Sequence, residues 1–395
     1  MKTYKLQIFT LVLMSFILGC SEFIIVGILS DVAASLKISV VQAGYFVTIF
    51  ALIYAVTTPV ITTILGKYSP YRSLLVLTAI FIFANVLSFF SGGSYSFFLI
   101  SRIITATVSG PMISLGLTFT NKIVPPPRKA EMISFVFSGF SIASVFGVPL
   151  GTLISAKSDW PFAFLAISLL SLGVFALLVL TLPKIHSEKP VRVVNSLRIL
   201  KDARIQIGIL LPLCSAAGVY VFYTYLNPIL INILNYSESS ISIFLFIFGI
   251  ASIISNLLSG VIAGKSGMRR MHFIYILQAM LFFSLPALLQ VKIGGTVVIL
   301  LLGISMYLLN SPIQMHFLTV AEQDYPESII FASSFNSISF NFGISMGSFL
   351  GSMIVGTFGL PYVGIGGGAF AIITILLILF LNRLNAHPPK THGRS

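Results

Sequence analysis

One carboxylate of this chain stands where a carboxylate is costly. Glu22 lies in Leu18-Gly19-Cys20-Ser21-Glu22-Phe23-Ile24-Ile25-Val26-Gly27, inside an apolar run from about residue 6 to residue 29. At about 1.5 Å per residue, a helix of that length crosses a bilayer core of about 30 Å. An ionised carboxylate at the bilayer centre costs about 3 kcal/mol on insertion scales. Such an acid is expected to face a cavity, pair with a cation or carry a proton. Of the ten acidic residues, only Glu22 falls well inside an apolar segment. Arg102 is the only Lys or Arg inside a run, and its guanidinium stays charged. Thr105, Ala106 and Ser109 share its helical face, which is small and polar. The expected chemistry is proton coupling. Arg102 pairs with Glu22 when the acid is ionised and binds backbone carbonyls when it is protonated.

A second set is neutral. Tyr223 and Asn227 share a face of the seventh run, and Asn256 stands on the eighth. Asn310 and Gln314 pair on the tenth, Asn336 and Asn341 lie on the eleventh, and Ser138 on the fifth. These groups suit hydrogen bonds to hydroxyls or ring nitrogens, and aromatics stack bases or sugars. They are candidates for lining a solute cavity; the alternative use is hydrogen bonding between helices. Gly147, Pro149 and Gly151 form a third set: Pro removes a donor and bends a helix, and Gly lets a neighbour approach. They are read as a gating bend, or as close packing with the eighth run. His316 reads as an interfacial histidine or a proton relay, and Trp160 as an interface anchor. No nucleophile–base constellation, zinc spacing, Walker sequence or Rossmann glycine pattern appears, so neither an enzyme nor an ATP-driven pump is expected. No metal or cofactor is expected; the drive would be a proton gradient.

The elements that must position these groups are membrane helices. The 395 residues are 57% hydrophobic and 8% charged, against about 25% charged in soluble domains. Twelve apolar runs follow one another, all of helical length: roughly 6–29, 40–65, 73–91, 95–120, 130–155, 160–182, 205–234, 239–264, 271–291, 295–320, 328–358 and 360–382. The first is read as a retained helix rather than a signal peptide. Cys20 and Cys214 both lie in runs and suggest no disulfide framework. All but four of the 23 Lys and Arg residues fall at the N-terminus, in even-numbered loops or in the C-terminal tail; the exceptions are Lys37, Lys157, Lys292 and Arg102. That alternation is the positive-inside pattern and puts both termini in the cytoplasm. The net charge of +13 is thus topological, and nucleic-acid binding is not expected. A charged stretch at 184–204 divides the chain into bundles at 1–183 and 205–395. The halves repeat: Gly66-Lys67 with Arg72 recurs as Gly264-Lys265 with Arg270, and Gly147 to Ile154 recurs loosely as Gly347 to Ile354. Duplicated bundles with a site between them are a transporter architecture.

Several motifs then carry a family likeness. Ser21-Glu22-Phe23 with Gly27-Ile28-Leu29, Leu99-Ile100-Ser101-Arg102-Ile103, and Phe137-Ser138-Gly139-Phe140 with Gly147-Val148-Pro149-Leu150-Gly151-Thr152 are three of them. Tyr223-Thr224-Tyr225-Leu226-Asn227-Pro228 and Phe248-Gly249-Ile250-Ala251 are two more. Together they resemble the twelve-span drug:proton antiporter branch of the major facilitator superfamily, nearest to bacterial sugar-efflux and purine-ribonucleoside-efflux transporters. The chain departs from that pattern after the second run, where Gly66-Lys67-Tyr68-Ser69-Pro70-Tyr71-Arg72 lacks the usual Asp. The resemblance implies an all-α fold of two six-helix bundles related by pseudo-two-fold symmetry. It further implies a monomer in the bacterial inner membrane that exports a sugar, nucleoside, purine or drug in exchange for protons. A proton-coupled importer or facilitator on the same fold is the alternative.

Overall fold

A computed structural model describes residues 3–125, 128–184, 197–265, 267–325 and 328–386. Most of the charged stretch at 184–204, with Glu188, lies outside the described residues, as do Lys2, Glu327 and the tail beyond 386. In hydrocarbon a backbone must satisfy its own N–H and C=O groups, so long apolar runs fold as helices. Twelve helices are long and apolar enough to cross a membrane, and no strand occurs among the described residues.

The chain forms two compact units. The first comprises residues 1–190 and 226–249, the second residues 191–225 and 250–395. The sequence reading keeps 205–395 together as the second bundle, after a linker at 184–204. Residues 226–249 instead pack with the first unit, held there by contacts of Asn227 and Gly249 described below.

The first unit runs α1 (Thr3–Gly27), α2 (Leu29–Ser35), α3 (Val40–Leu65), α4 (Pro70–Phe90), α5 (Tyr95–Ile123), α6 (Lys129–Ile142), α7 (Val148–Lys157) and α8 (Pro161–Thr181). A single π turn, Ala143–Gly147, joins α6 to α7 in one span. Later in the chain come α9 (Ala203–Tyr223), α10 (Leu226–Asn232), α11 (Glu238–Lys265), α12 (Met271–Leu288), α13 (Lys292–Ser305), α14 (Asn310–Asp324), α15 (Ile329–Phe358) and α16 (Val363–Ala386). In the first unit α1 packs on α6 and α8, and α4 on α5 and α8. In the second, α9 packs on α15 and α16, and α12 on α13 and α16. The first span of each half thus meets its fifth and sixth, and the third meets its fourth and sixth, as an internal duplication requires.

Glycine sets the closest of these approaches. A Cβ on Gly347 would stand 2.3 Å from the Ala217 carbonyl oxygen and one on Gly139 2.5 Å from that of Val12, so α15 lies directly on the α9 backbone and α6 on that of α1.

Three spans are broken, and two breaks share a cause. Pro228 and Pro312 each stand early in a helix that follows a turn: Thr224–Tyr225 before α10, and Met306–Leu309 before α14. A proline ring clashes with the carbonyl four residues back and offers it no N–H. Those carbonyls belong to Thr224 and Leu308, at the breaks. The third break, at Ile28 between α1 and α2, contains no proline. Trp160, expected at the membrane interface, is 1% exposed and packs edge-on to Phe98 (4.9 Å) and Phe164 (6.0 Å) in the core.

Candidate functional site

Glu22 sits on α1, partly exposed, with no hydrogen bond or ion pair to its carboxylate among the described residues. Beside it, Arg102 of α5 is completely buried. Of the two arrangements expected for Arg102, the structure holds the one without an ion pair to Glu22. Arg102 Nη2 donates to the Ser21 carbonyl at 2.7 Å, and Nη1 to the Ser21 hydroxyl at 3.2 Å. The guanidinium lies 4.3 Å above the Phe50 ring centroid and 5.5 Å from that of Phe164, a cation–π arrangement. Its Nε is buried without a partner. Ser21 donates in turn to Asn85 Oδ1 of α4 at 3.0 Å. Arg102 therefore grips the α1 backbone at the residue just before Glu22. This is the carbonyl-bound arrangement expected for a protonated acid.

The glycine–proline set forms the π turn and its exit. Pro149 has no N–H for the Val145 carbonyl, and the Val148 N–H reaches five residues back to the Ala143 carbonyl. The result is one widened turn, Ala143–Gly147. Gly147 meets Cys20 and Gly151 meets Ile24, so both serve packing on α1. Contact with the eighth span comes from the other partner: a Cβ on Gly249 of α11 would stand 2.6 Å from the Val145 Cα. Phe146 and Phe246 add a ring contact at 5.6 Å.

Asn227, a candidate for the solute cavity, is a brace. Its Nδ2 donates to the Gly27 carbonyl at 2.6 Å, and its Oδ1 accepts from the Ser30 N–H at 3.3 Å. Both polar ends are consumed by the break between α1 and α2, because a break in a membrane helix needs partners that lipid cannot supply. In this arrangement neither polar end of Asn227 is left for a solute. Nearby, the Ser155 hydroxyl bonds the Asp31 carboxylate of α2.

In the second unit Tyr223 belongs to an aromatic chain. Tyr223 lies 5.3 Å from Tyr220, Tyr220 6.1 Å from Phe340, and Phe340 6.0 Å from Tyr307. Asn336 stands one turn before Phe340, and its buried Oδ1 has no partner. Asn341 donates from Nδ2 to the Ser337 carbonyl at 3.1 Å, and its Oδ1 is also buried and unmatched. Asn310 begins α14 at the break, with Gln314 one turn on and Asn256 on α11; all three are half-buried. Ser138, half-buried on α6, bonds its own helix at the Phe135 carbonyl, 2.6 Å away.

At the start of α9 lies a charge cluster. Arg204 Nε and Nη2 donate to the two Asp202 carboxylate oxygens at 3.0 and 2.6 Å, and Nη2 also donates to Asp324 at 2.6 Å. Burial alone would push the Asp202 carboxyl up. Hydrogen bonds from the Arg204 side chain and N–H, its charge, and Tyr325 hold it below the usual value instead. Asp202 also caps α9, its carboxylate accepting from the Arg204 N–H. His316 Nε2 lies 3.3 Å from the Arg204 carbonyl, so it belongs to this packing.

A sequence model of the Major Facilitator Superfamily matches residues 11–330. The chain belongs to the major facilitator superfamily. It is 31% identical to the uncharacterized MFS-type transporter YbcL of Bacillus subtilis over 382 residues, spanning 94% of this chain and 95% of that one. It is 28% identical over 385 residues to a probable sugar efflux transporter of Helicobacter pylori, spanning 95% of each. The fold matches a crystal structure of a D-xylose–proton symporter with a TM-score of 0.76 at 16% identity, over the whole of both chains. As a member of the superfamily the chain is a multi-pass bacterial membrane transporter of small molecules, not an enzyme. Sequence reasoning about this facilitator missed Ser21, Asn85 and Phe50, which surround Arg102. The signal for Asn85 was its place: an amide in the middle of an apolar run needs a polar partner.

Proposed function

We propose that the protein is a proton-coupled exporter exchanging protons for a small neutral organic solute, of which a sugar is the first candidate. Both termini lie in the cytoplasm, the molecule works as a monomer, and no cofactor takes part. Glu22 carries the proton. Solute enters from the cytoplasm and meets the neutral polar and aromatic groups of the second unit; the bundles then alternate access. One charge moved through 100 mV supplies about 2.3 kcal/mol. The observation that carries this reading is the state of Glu22: an acidic residue in a membrane span, half-buried as a residue and without an ion pair among the described residues, with a buried Arg102 bound next door rather than to it. The sugar assignment draws on the name of the Helicobacter pylori relative and on two unmatched amide oxygens beside an aromatic chain. The test uses proteoliposomes with an imposed pH gradient and a panel of radiolabelled pentoses, hexoses and nucleosides. Glu22→Gln is expected to abolish gradient-driven transport while solute exchange at equal pH continues. Undiminished pH-driven transport by that variant rejects the assignment, and the direction of the response separates export from import.

A further inference from the structure

Arg102 has two acceptors, and both belong to Ser21. Which way the Ser21 hydroxyl points is decided elsewhere. Asn85 Nδ2 donates to the Phe81 carbonyl at 2.9 Å. A carbonyl can only accept, so the amide orientation is fixed and Asn85 Oδ1 faces Ser21. Ser21 therefore gives its single proton to Asn85 and offers a lone pair to Arg102. Ser21, Asn85 and Arg102 are each 0% exposed, so water does not substitute for any of these bonds. The buried Nε–H of Arg102 is left unspent.

We propose that Asn85 is a positioning residue for proton coupling: by orienting Ser21 it holds Arg102 on the α1 backbone and keeps it from the Glu22 carboxylate. This rests on the reading of Glu22 as the proton site. Without Asn85 a buried serine turns its proton to its own helix, at the carbonyl four residues back, and its grip on Arg102 loosens. The guanidinium then shifts toward the nearest anion when Glu22 ionises. The other ionisable groups on the packed elements are few. They are Tyr4 and Lys5 in the first turn of α1 and Cys20 further along it, Tyr45 and Tyr54 on α3, Tyr95 and Lys122 at the ends of α5, and Lys157 at the end of α7. The first turn of α4 carries Tyr71 and Arg72, that of α6 carries Lys129 and Glu131, and α8 carries none. Glu22 and Arg102 are thus the only charges in the middle of these spans.

The test needs no solute. Infrared spectra of the purified full chain in nanodiscs, recorded against pH, follow the C=O stretch of protonated carboxyls; the band absent from Glu22→Gln is that of Glu22. In Asn85→Leu the midpoint of this band is expected to move to lower pH by about one unit, a tenfold change in proton dissociation. Ser21→Ala is expected to move it the same way, and the double variant no further than either alone. The two singles give independent access if one folds poorly. A Glu22 band that titrates in the unsubstituted protein yet keeps its midpoint in both variants overturns this proposal alone. The lack of any titrating Glu22 band overturns the proton reading and this proposal with it.

Discussion

Arg102 and Arg204 are each the centre of a polar network, one in each unit, and their partners are opposite in kind. Arg204 is closed by two carboxylates, Asp202 and Asp324, and its charge is neutralised where it stands. Arg102 is more deeply buried and bonds only a carbonyl and a hydroxyl, with aromatic faces above it. Its positive charge is solvated but not cancelled. A neutralised arginine fastens elements together and is indifferent to a proton elsewhere. An uncancelled one leaves its neighbourhood sensitive to whether a nearby acid is ionised. In the proposed mechanism the first unit responds to the proton and the second recognises the solute; the spans of the second unit carry neutral Asn, Ser and Tyr groups.

Substitutions that exchange these two characters test the contrast. Arg102→Met keeps a long apolar stem in the Phe50–Phe164 slot and removes the charge. Coupling energies of 1–3 kcal/mol are typical between linked sites. Gradient-driven transport in proteoliposomes is therefore expected to fall by about a hundredfold, with exchange at equal pH retained. Retained driven transport would merge the two arginines into one class.

Asn227→Leu comes next. It leaves the Ser30 N–H without its partner and takes one donor from the Gly27 carbonyl, at a cost of about 1–3 kcal/mol. Thr152, 3.4 Å from the same carbonyl, softens the loss. Lower thermal stability in detergent, without loss of solute recognition, is the expected result; weakened solute binding at unchanged stability would return Asn227 to the cavity.

The smallest effect belongs to acid. The folded-state Asp202 carboxyl lies below its ordinary value of 3.8. Its contribution is therefore complete above that value and drains away as pH falls through the lower folded-state one. Chemical unfolding followed between pH 5 and 2 is expected to show a component that Asp202→Asn removes. An unchanged acid limb would make Arg204 a bystander.

The helices could be read from composition, because a 20-residue apolar run has one way to satisfy its backbone in lipid. Glu22 and Arg102 were legible for the same reason: charge inside such a run stands out against it. Their mutual geometry was not, because Arg102 finds its acceptors through Asn85, which is 64 positions from Ser21. The brace made by Asn227 was not legible, since an amide suits a ligand and a broken backbone equally. What decides is the break at Ile28, a tertiary feature without a proline to announce it. The break before α14 did have a sign, Pro312, but a long run of apolar residues across it conceals the interruption.

That interruption has a mechanical consequence. The Tyr307 and Ser311 N–H groups are caught by the Ser255 and Ser259 hydroxyls of α11, each at 2.8 Å. Gln278 of α12 reaches the Ser305 hydroxyl at 3.2 Å from the other side. The split tenth span is stitched to two neighbours at the point where it is weakest. Sliding it alone would strand two amides in hydrocarbon at several kcal/mol each. It cannot act as a private flap; whatever displaces it must carry α11 and α12 along as cargo.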